Sequence, residues 1–381
     1  MSETWLKRIG FYTGGPPFDG STLAGQALGG SETALIQATR ALRDRGHEVT
    51  VFNNCSRAAD HEGVLYLPVR THLDRMLSTR YEVFIASRLF DCFSWPLQAR
   101  LKVLWNHDLL DRPAALRQVQ GRFDLMLVLS RFHRRNYLTH LPDLANRLIV
   151  TRNGLDLNLI KKASQGVPRN PNKVIYASRP ERGLKILLEG IWPRLAAIKP
   201  DLKLHICGYN VDRTILPPGL LDLYDYLAAL MARSPNVVNL GSLSKEDYYR
   251  HLAESALMLY PCTFPEVSCL AVLEAQACRT PVLTTDDFAL SETVRMAEFR
   301  IPGRPGRPSY DQMFLERAIQ ILTEPGWAVE RAGRAAAMVE KEHDWSNIVA
   351  EWDRAFDLTL ASKTKLSALK DSGIKSHAAL V

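Results

Sequence analysis

Short apolar runs alternate along the chain with longer segments of helical periodicity. This alternation is typical of β-α-β units, which build parallel sheets covered by helices on both faces. Strands are predicted in the first half at Arg8–Tyr12, Glu48–Asn53, Glu82–Ser87, Lys102–Asn106, Asp124–Ser130 and Arg147–Thr151. A second set is predicted at Lys173–Ala177, Lys203–Cys207, Val237–Leu240, Ala256–Tyr260 and Pro281–Thr285.

The clearest helix is predicted at Ser31–Gly46, where apolar residues recur on one face. Ser31 is a candidate N-cap and Gly46 a candidate C-terminal stop. Further helices are predicted at Gly183–Ile198, Lys245–Glu254, Val267–Cys278 and Asp344–Leu360.

The length of 381 residues favours two domains over one core. The segment Asn153–Asn172 is rich in glycine, proline and polar residues, and is predicted to be the linker. We therefore expect two Rossmann-like domains at residues 1–165 and 166–342. A C-terminal helix at 343–361 is expected to pack back toward the first domain, and 362–381 to form a flexible tail.

Composition narrows the class of protein. Hydrophobic residues make up 46% and charged residues 23%, the balance of a globular protein. The sequence shows no signal peptide and no apolar window of about 18 residues, so a cytoplasmic protein is expected, with peripheral membrane contact as an option. The net charge of +7 suits an anionic partner and does not choose among a nucleotide, a lipid surface and a nucleic acid.

Glycines lie between the first strand and the first long helix, in Thr13–Pro16 and again in Gly29–Glu32. Such loops let a ligand approach the backbone and reach helix N–H groups, which favour anions. Gly15 and Gly30 are therefore candidate donor-binding residues, with a turn that binds nothing as the alternative. The spacing differs from G-x-G-x-x-G, which argues against a dinucleotide-binding dehydrogenase.

Two arginines, Arg179 and Arg182, follow the first strand of the second domain. Ligands of open α/β sheets bind at the carboxyl ends of strands, and the guanidinium fork suits a diphosphate. The alternative is a pair of surface arginines bound to Glu181. Lys185 is a rival candidate for the diphosphate.

Two glutamates follow the strand that ends at Tyr260. Glu266 lies in the loop, and Glu274 lies on the apolar helix after it. Burying a carboxylate is costly unless it contacts a polar partner. A carboxylate accepts hydrogen bonds from vicinal hydroxyls, and the N–H groups near Ser268, Cys269 and Leu270 suit phosphate. This combination indicates a nucleotide sugar.

Taken together, these segments resemble the retaining glycosyltransferases of the group 1 type, also called family four, which include sucrose synthases and mannosyltransferases. The hallmark of that family is two glutamates separated by seven residues, matched here by Glu266 and Glu274. Further matches in the same order are Gly29–Glu32, Trp105–Asp108, Asn153–Asp156, Asn239–Leu243, Thr280–Leu283 and Ser291–Val294.

The resemblance implies a GT-B fold, with two Rossmann-like domains facing each other across a cleft. The first domain would bind the acceptor and the second the nucleotide-sugar donor. The reaction would transfer the sugar to an acceptor hydroxyl with retention, without a metal or other cofactor. By this resemblance, the residues that would serve catalysis are His107, Glu266 and Arg179. The residues that would bind the donor are Gly15, Gly30, Arg179, Arg182, Lys185, Ser242, Leu243, Ser268, Cys269, Leu270 and Glu274.

Within that set, Glu274 would bind the ribose, Glu266 the transferred sugar and the two arginines the diphosphate. Two departures bear on specificity. Arg182-Gly183 stands where the family has Lys-Gly, after a shorter spacing. Ser268-Cys269 stands where Phe-Gly is common. The sugar and nucleobase are therefore not implied.

The acceptor stays open among a glycan, a lipid-linked sugar and a small molecule. A basic helix beginning at Arg131, with His133, Arg134 and Arg135, suits either an anionic membrane or plain solvent. The alternatives in function are a nucleotide-sugar epimerase or hydrolase, and a glycosyltransferase acting on nucleic acid. Interleaved aromatic and basic residues, which nucleic-acid binding favours, are not evident.

Overall fold

The computed structural model describes residues 6–25, 28–208 and 216–371, with side chains of the last helix described as far as Lys365. Within these residues the chain forms two separate sheets, each flanked by helices. The predicted α/β class with two Rossmann-like sheets is confirmed.

The first sheet has the order β3-β4-β2-β1-β5-β6-β7-β8. Its neighbours pair in parallel, except that β3 is antiparallel to β4. The strands are β1 (Arg8–Thr13), β2 (Glu48–Asn53), β3 (Ala59–His61), β4 (Val64–Pro68), β5 (Tyr81–Ser87), β6 (Ala99–Trp105), β7 (Leu125–Val128) and β8 (Leu148–Val150).

The second sheet is parallel throughout its described strands, in the order β11-β10-β9-β12-β13-β14. Its strands are β9 (Asn170–Ala177), β10 (Lys203–Cys207), β11 (Val237–Gly241), β12 (Ser255–Tyr260), β13 (Val282–Thr285) and β14 (Arg300–Ile301).

The helices lie mostly between strands, as parallel pairing requires. A π-helical segment at Leu187–Ile191 joins α7 to α8. The described helices are α1 (Thr22–Gly25), α2 (Gly30–Asp44), α3 (Val69–Ser78), α4 (Pro113–Val119), α5 (Arg131–His140), α6 (Leu157–Ser164), α7 (Leu184–Ile186), α8 (Trp192–Ile198), α9 (Pro218–Arg233), α10 (Lys245–Glu254), α11 (Leu270–Ala277), α12 (Leu290–Thr293), α13 (Pro308–Thr323), α14 (Pro325–Glu342) and α15 (Trp345–Asp371).

The strand order places one crevice in each sheet. In the first sheet the winding reverses between β1 and β5, and in the second between β9 and β12. Loops on either side of such a reversal diverge and leave a crevice at the carboxyl ends of the strands, where open α/β sheets bind ligands. The topology therefore predicts that the loops after these four strands bind ligands.

The last helix, α15, packs against the first half of the chain, although it follows the second sheet in sequence. The Trp352 ring lies 5.0 Å from that of Trp105 in an edge-on contact, and its Nε1 donates to Thr151. Asp353, on the same helix, accepts hydrogen bonds from Arg45 and His47. The helix thereby joins the two halves of the chain.

The structure differs from the sequence-based prediction at several element ends. Helix α2 has Gly29 at its N-cap position without a side-chain cap, so the predicted cap at Ser31 is wrong. The predicted linker contains α6, which is capped by Asp156. Helix α15 runs to Asp371, past the predicted start of the tail at Ser362, and residues 372–381 lie outside the described residues.

Candidate active site

The crevice of the second sheet brings Arg182 and Glu266 together. Arg182 follows β9, and its Nη1 lies 2.9 Å from Oε1 of Glu266, which follows β12. Glu266 is 4% exposed. Although burial opposes its charge, the nearby Glu266 raises the pKa of Arg182. An ion pair between a buried carboxylate and a partly exposed guanidinium therefore links the two loops at the switch point.

Gly183 allows the loops after β9 and β12 to approach each other closely. Its φ is +133°, and a Cβ added there would lie 2.2 Å from the carbonyl oxygen of Pro261. A side chain would collide with backbone that cannot move independently of β12. Only glycine combines this φ with this contact, which holds Arg182 within reach of Glu266.

Glu266 has a second partner in Tyr260, whose hydroxyl donates to the same Oε1 at 2.7 Å. Ser178 in turn donates to that hydroxyl at 3.2 Å. The guanidinium of Arg182 lies 4.0 Å from the centre of the Phe264 ring, and its Nε is buried without a partner among the described residues. Since buried donors are nearly always hydrogen-bonded, this N–H is a candidate ligand contact.

Glu274 lies on α11 and is 3% exposed. Its Oε1 accepts from the Lys245 ammonium at 2.5 Å and from the Tyr249 hydroxyl at 2.9 Å. Lys245 and Tyr249 both belong to α10, one turn apart. The second glutamate is thus also paired with one cation.

A pocket with an empty volume of about 420 Å³ opens beside Glu274. Its wall includes the ends of β9 and β10 at Ala177 and Cys207, the loop residue Leu243 and, from the first half of the chain, Leu28. The pocket therefore lies in the second half, at the contact between halves. The Glu274 carboxylate in its lining suits hydroxyl donors.

On the first side of the cleft, His107 follows β6 and packs 4.4 Å from the Trp105 ring, centre to centre. Burial and the neighbouring Arg88 hold the pKa of His107 well below its usual range. Its Nε2 is buried without a partner among the described residues. The ring is therefore neutral and has a nitrogen left for a ligand.

Arg88 follows β5 and connects three loops. Its guanidinium donates to Asp108 at 2.6 and 3.3 Å, to Ser31 at 3.3 Å and to Glu32 at 3.5 Å. Its φ is +66°, a left-handed conformation that costs a non-glycine residue about 1–3 kcal/mol. Strain of this kind persists only where the surrounding contacts hold it.

A larger, more polar pocket lies beside this network, with an empty volume of about 910 Å³. It is formed by the loops after β1, β5 and β6, the switch-point side of the first sheet. Gly15, Arg88, Asp108 and Arg112 are among its lining residues.

The two halves also contact each other directly. The amides of Arg131 and Phe132, at the start of α5, donate to the Glu292 carboxylate at 2.9 and 2.7 Å. The Phe132 and Phe288 rings meet edge-on at 5.5 Å. A carboxylate at a helix N-terminus is stabilised by the helix dipole, so this contact favours the observed arrangement of the halves.

The proposed basic surface helix is therefore only partly exposed. His133 is buried, and its ring bonds the Asp108 carbonyl, while the amide of Arg131 contacts Glu292. No helix among the described residues is long and apolar enough to cross a bilayer.

The structure separates the sequence-predicted residues into those that line a pocket and those that do not. Glu274 and Leu243 line the smaller pocket and Gly15 the larger one, while Gly30 lies beside Leu270 of the other half. The remaining predicted site residues line neither pocket.

Arg179 pairs with Glu181, at 3.4 Å, which is the alternative considered for it. Lys185 is exposed and its ammonium lies 5.3 Å from the Tyr226 ring centre. Cys269 is buried at the N-cap position of α11, between the partly exposed Ser268 and Leu270. Ser242 is also partly exposed, next to Leu243.

Four residues of the site were missed at the level of sequence: Arg88, Lys245, Tyr249 and Tyr260. Arg88 and Tyr260 stand at the carboxyl ends of strands, and Lys245 and Tyr249 in the first two turns of α10. Position at a strand end is a signal that could have pointed to Arg88 and Tyr260, whereas Lys245 and Tyr249 look like ordinary helix residues. Within the described residues, no cluster of three or more histidine, cysteine, aspartate or glutamate side chains could hold a metal ion.

Two doubly wound sheets, each with a pocket beside its switch point, are the architecture of the GT-B class. Solved structures of that class match over 93% of this chain. Anabaena HepE in complex with UDP-glucose is 20% identical over 100% of its chain, with a TM-score of 0.68. Sucrose-phosphate synthase from Thermosynechococcus elongatus is 15% identical over 100% of its chain, with a TM-score of 0.70. A Rickettsia africae glycosyltransferase is 13% identical over 99% of its chain, with a TM-score of 0.70.

The family match lies in the second half of the chain. Residues 159–342 match the family described as Glycosyl transferases group 1, so this half is a domain of that family. The match spans α6 to the end of α14 and includes both glutamates. No curated protein matches the sequence. The resemblance inferred from the motifs, to a group 1 glycosyltransferase of GT-B fold, is confirmed.

Proposed function

We propose that this protein transfers a sugar from a nucleoside diphosphate sugar to an acceptor hydroxyl, with retention at the anomeric carbon and without a metal ion. The observation that carries the proposal is the pair of buried glutamates, Glu266 and Glu274, each bound to one cation at the second switch point. Anabaena HepE, which shares the fold, binds UDP-glucose.

In this proposal Glu274 binds the ribose and Glu266 the hydroxyls of the transferred sugar. Arg182 holds the diphosphate through donors not used by Glu266, among them its buried Nε. The first amides of α11, near Leu270, point along a helix axis that favours negative charge. Arg179 reaches the diphosphate by leaving Glu181, which its partly exposed side chain permits.

The reaction breaks the bond between the anomeric carbon and the diphosphate oxygen. The acceptor oxygen bonds to the same face of that carbon, and its proton passes to the leaving phosphate oxygen. Arg182 and the amides of α11 stabilise the charge that develops there. His107, neutral and with Nε2 unpartnered, donates to or accepts from a hydroxyl of the donor sugar.

The acceptor binds in the larger pocket of the first half, between Gly15 and Arg112. Its chemical class is open among glycans, lipid-linked sugars and small molecules. The protein acts in the cytoplasm, with peripheral contact to a membrane if the acceptor is lipid-linked.

A turnover assay tests the proposal. Purified protein is incubated with UDP-, GDP-, ADP- and TDP-sugars, with EDTA or with Mg²⁺, and with pooled glycan acceptors. We expect one donor to release its nucleoside diphosphate equally with EDTA, and the product anomer, read by proton NMR coupling, to match the donor. An inverted product or loss of turnover in EDTA would contradict the mechanism. Full turnover without acceptor would favour a hydrolase or epimerase.

A further inference from the structure

Lys245 pairs with Glu274 and also lines the pocket beside it. It begins α10, where the Ser244 hydroxyl accepts from the Asp247 amide and fixes the first turn. Its side chain is 14% exposed and lines the pocket together with Leu243 and Glu274. The ammonium is therefore both paired and accessible from the pocket.

The hydrogen bonds at Glu274 are distributed unevenly between its two oxygens. Oε1 accepts from Lys245 at 2.5 Å and from Tyr249 at 2.9 Å. A carboxylate oxygen offers about two lone pairs, so these two donors fill Oε1. No donor among the described residues reaches Oε2, which is left to accept from a ligand.

A ribose diol presents two neighbouring hydroxyls, and a carboxylate with both oxygens free would take one on each. Here only Oε2 lacks a donor among the described residues, so the hydroxyl nearer Oε1 needs another partner. The Lys245 ammonium has three N–H donors, and Glu274 uses one. A second N–H can donate to the oxygen of that hydroxyl.

We propose that Lys245 is a nucleotide-recognition residue, which donates a hydrogen bond to one ribose hydroxyl while Oε2 of Glu274 accepts from the diol. The inference rests on the proposed function, because it assumes that the pocket binds a nucleoside diphosphate. It makes recognition of the diol a joint property of α10 and α11.

A binding cycle with altered ribose tests this role. Calorimetry measures the Kd of the tightest-binding of UDP, GDP and ADP, and of its 2′-deoxy and 3′-deoxy forms, for the wild type and Lys245→Met. A hydrogen bond to a charged donor corresponds to a loss of about ten- to a hundredfold. We expect that loss for the ribonucleotide and a loss below about threefold for one of the two deoxy forms.

Lys162→Met is the matched control, since Lys162 is a 72% exposed lysine whose ammonium contacts Glu246 of the same α10. We expect it to leave all three affinities unchanged. Lys245→Gln, which keeps an N–H donor without the charge, replaces Lys245→Met if that variant does not fold. With it, we expect a smaller loss for the ribonucleotide, again reduced for the same deoxy form.

An equal loss of affinity for all three nucleotides would show that Lys245 only neutralises Glu274, and the inference would be wrong. That result would leave the proposed function standing, because the wild type would still bind. Failure of every nucleoside diphosphate to bind the wild type would overturn both.

Discussion

The two sides of the cleft hold their charged groups in different ways. On the second side, Glu266 and Glu274 are buried and each bonds to its own cation. On the first side, Arg88 is shared by Asp108, whose side chain is 52% exposed, and by the buried Glu32, which lies farther away at 3.5 Å.

Solvent exposure determines how much each ion pair contributes to the free energy of unfolding. Removing one partner of a buried ion pair leaves an uncompensated charge, at a cost of about 3–5 kcal/mol. An exposed pair contributes about 0–1 kcal/mol. The second side is therefore preorganised for one kind of ligand, whereas the network of the first side can rearrange around an acceptor at little cost.

The largest expected effect is at the buried pair. Arg182→Met leaves Glu266 with Tyr260 as its donor, and we expect the free energy of unfolding to fall by about 3–5 kcal/mol. Urea denaturation measures it, with Arg182→Lys as the control that keeps the charge. A loss below about 1 kcal/mol would mean that the pair behaves like the exposed network.

Gly183→Ala tests the loop contact that positions Arg182. Because the added Cβ would meet the Pro261 carbonyl at a φ of +133°, we expect destabilisation of about 2 kcal/mol or more. Gly219→Ala is a suitable control, since a Cβ there would meet no described atom within 4 Å. Equal melting temperatures for the two variants would contradict the geometry.

The C-terminal helix provides an ion pair of intermediate strength. Although burial opposes the ionised form of Asp353, hydrogen bonds from His47 and Arg45 lower the pKa of its carboxyl group to about 2. A lowered carboxyl pKa stabilises the fold above the unfolded value, near 4, and this contribution is lost as the pH falls toward 2. We expect this contribution to the free energy of unfolding to be about 1–2 kcal/mol.

Urea denaturation from pH 6 to pH 2.5 measures this contribution. Asp353→Asn should remove part of the acid dependence, while Asp357→Asn, at a half-exposed carboxylate beside Lys7, should remove less. An unchanged pH profile in Asp353→Asn would show that other carboxylates control acid unfolding.

The smallest effect is expected on the first side. Arg88→Ala breaks the contacts to Asp108 and Glu32. Because the Asp108 side chain is half exposed and the contact to the buried Glu32 is long, at 3.5 Å, we expect the free energy of unfolding to change by less than about 1 kcal/mol. Comparison with Arg182→Met in the same denaturation series checks it. A loss of 3 kcal/mol or more would remove the contrast between the two sides.

Much of the fold was predictable because buried parallel strands are continuous apolar runs. The predicted bounds of β2 and β10 agree with the structure. The short strands β3 and β4 were missed for different reasons. Val64–Pro68 is a short apolar run that does favour a buried strand, so β4 could have been predicted. Ala59–His61 is mostly polar, and β3 is recognisable only by its antiparallel pairing with β4.

The site was predictable where a residue type is unusual for its position. A glutamate on an apolar helix, as at Glu274, requires a polar partner. Its partner Lys245 was missed because a lysine in the first turn of a helix looks like any solvated residue. Arg88 was missed because its contacts to Asp108 and Glu32 join segments far apart in the sequence.

The central claim is that the second side of the cleft binds a nucleoside diphosphate at Glu274. Thermal denaturation in EDTA with UDP, GDP, ADP and TDP tests it directly, on the wild type, on Glu274→Gln and on the surface control Glu246→Gln. A ligand at about 100 times its Kd should add roughly 2.7 kcal/mol of stability. We predict that one nucleotide stabilises the wild type and the control but not Glu274→Gln. Equal stabilisation of all three proteins, or of none, would contradict the account.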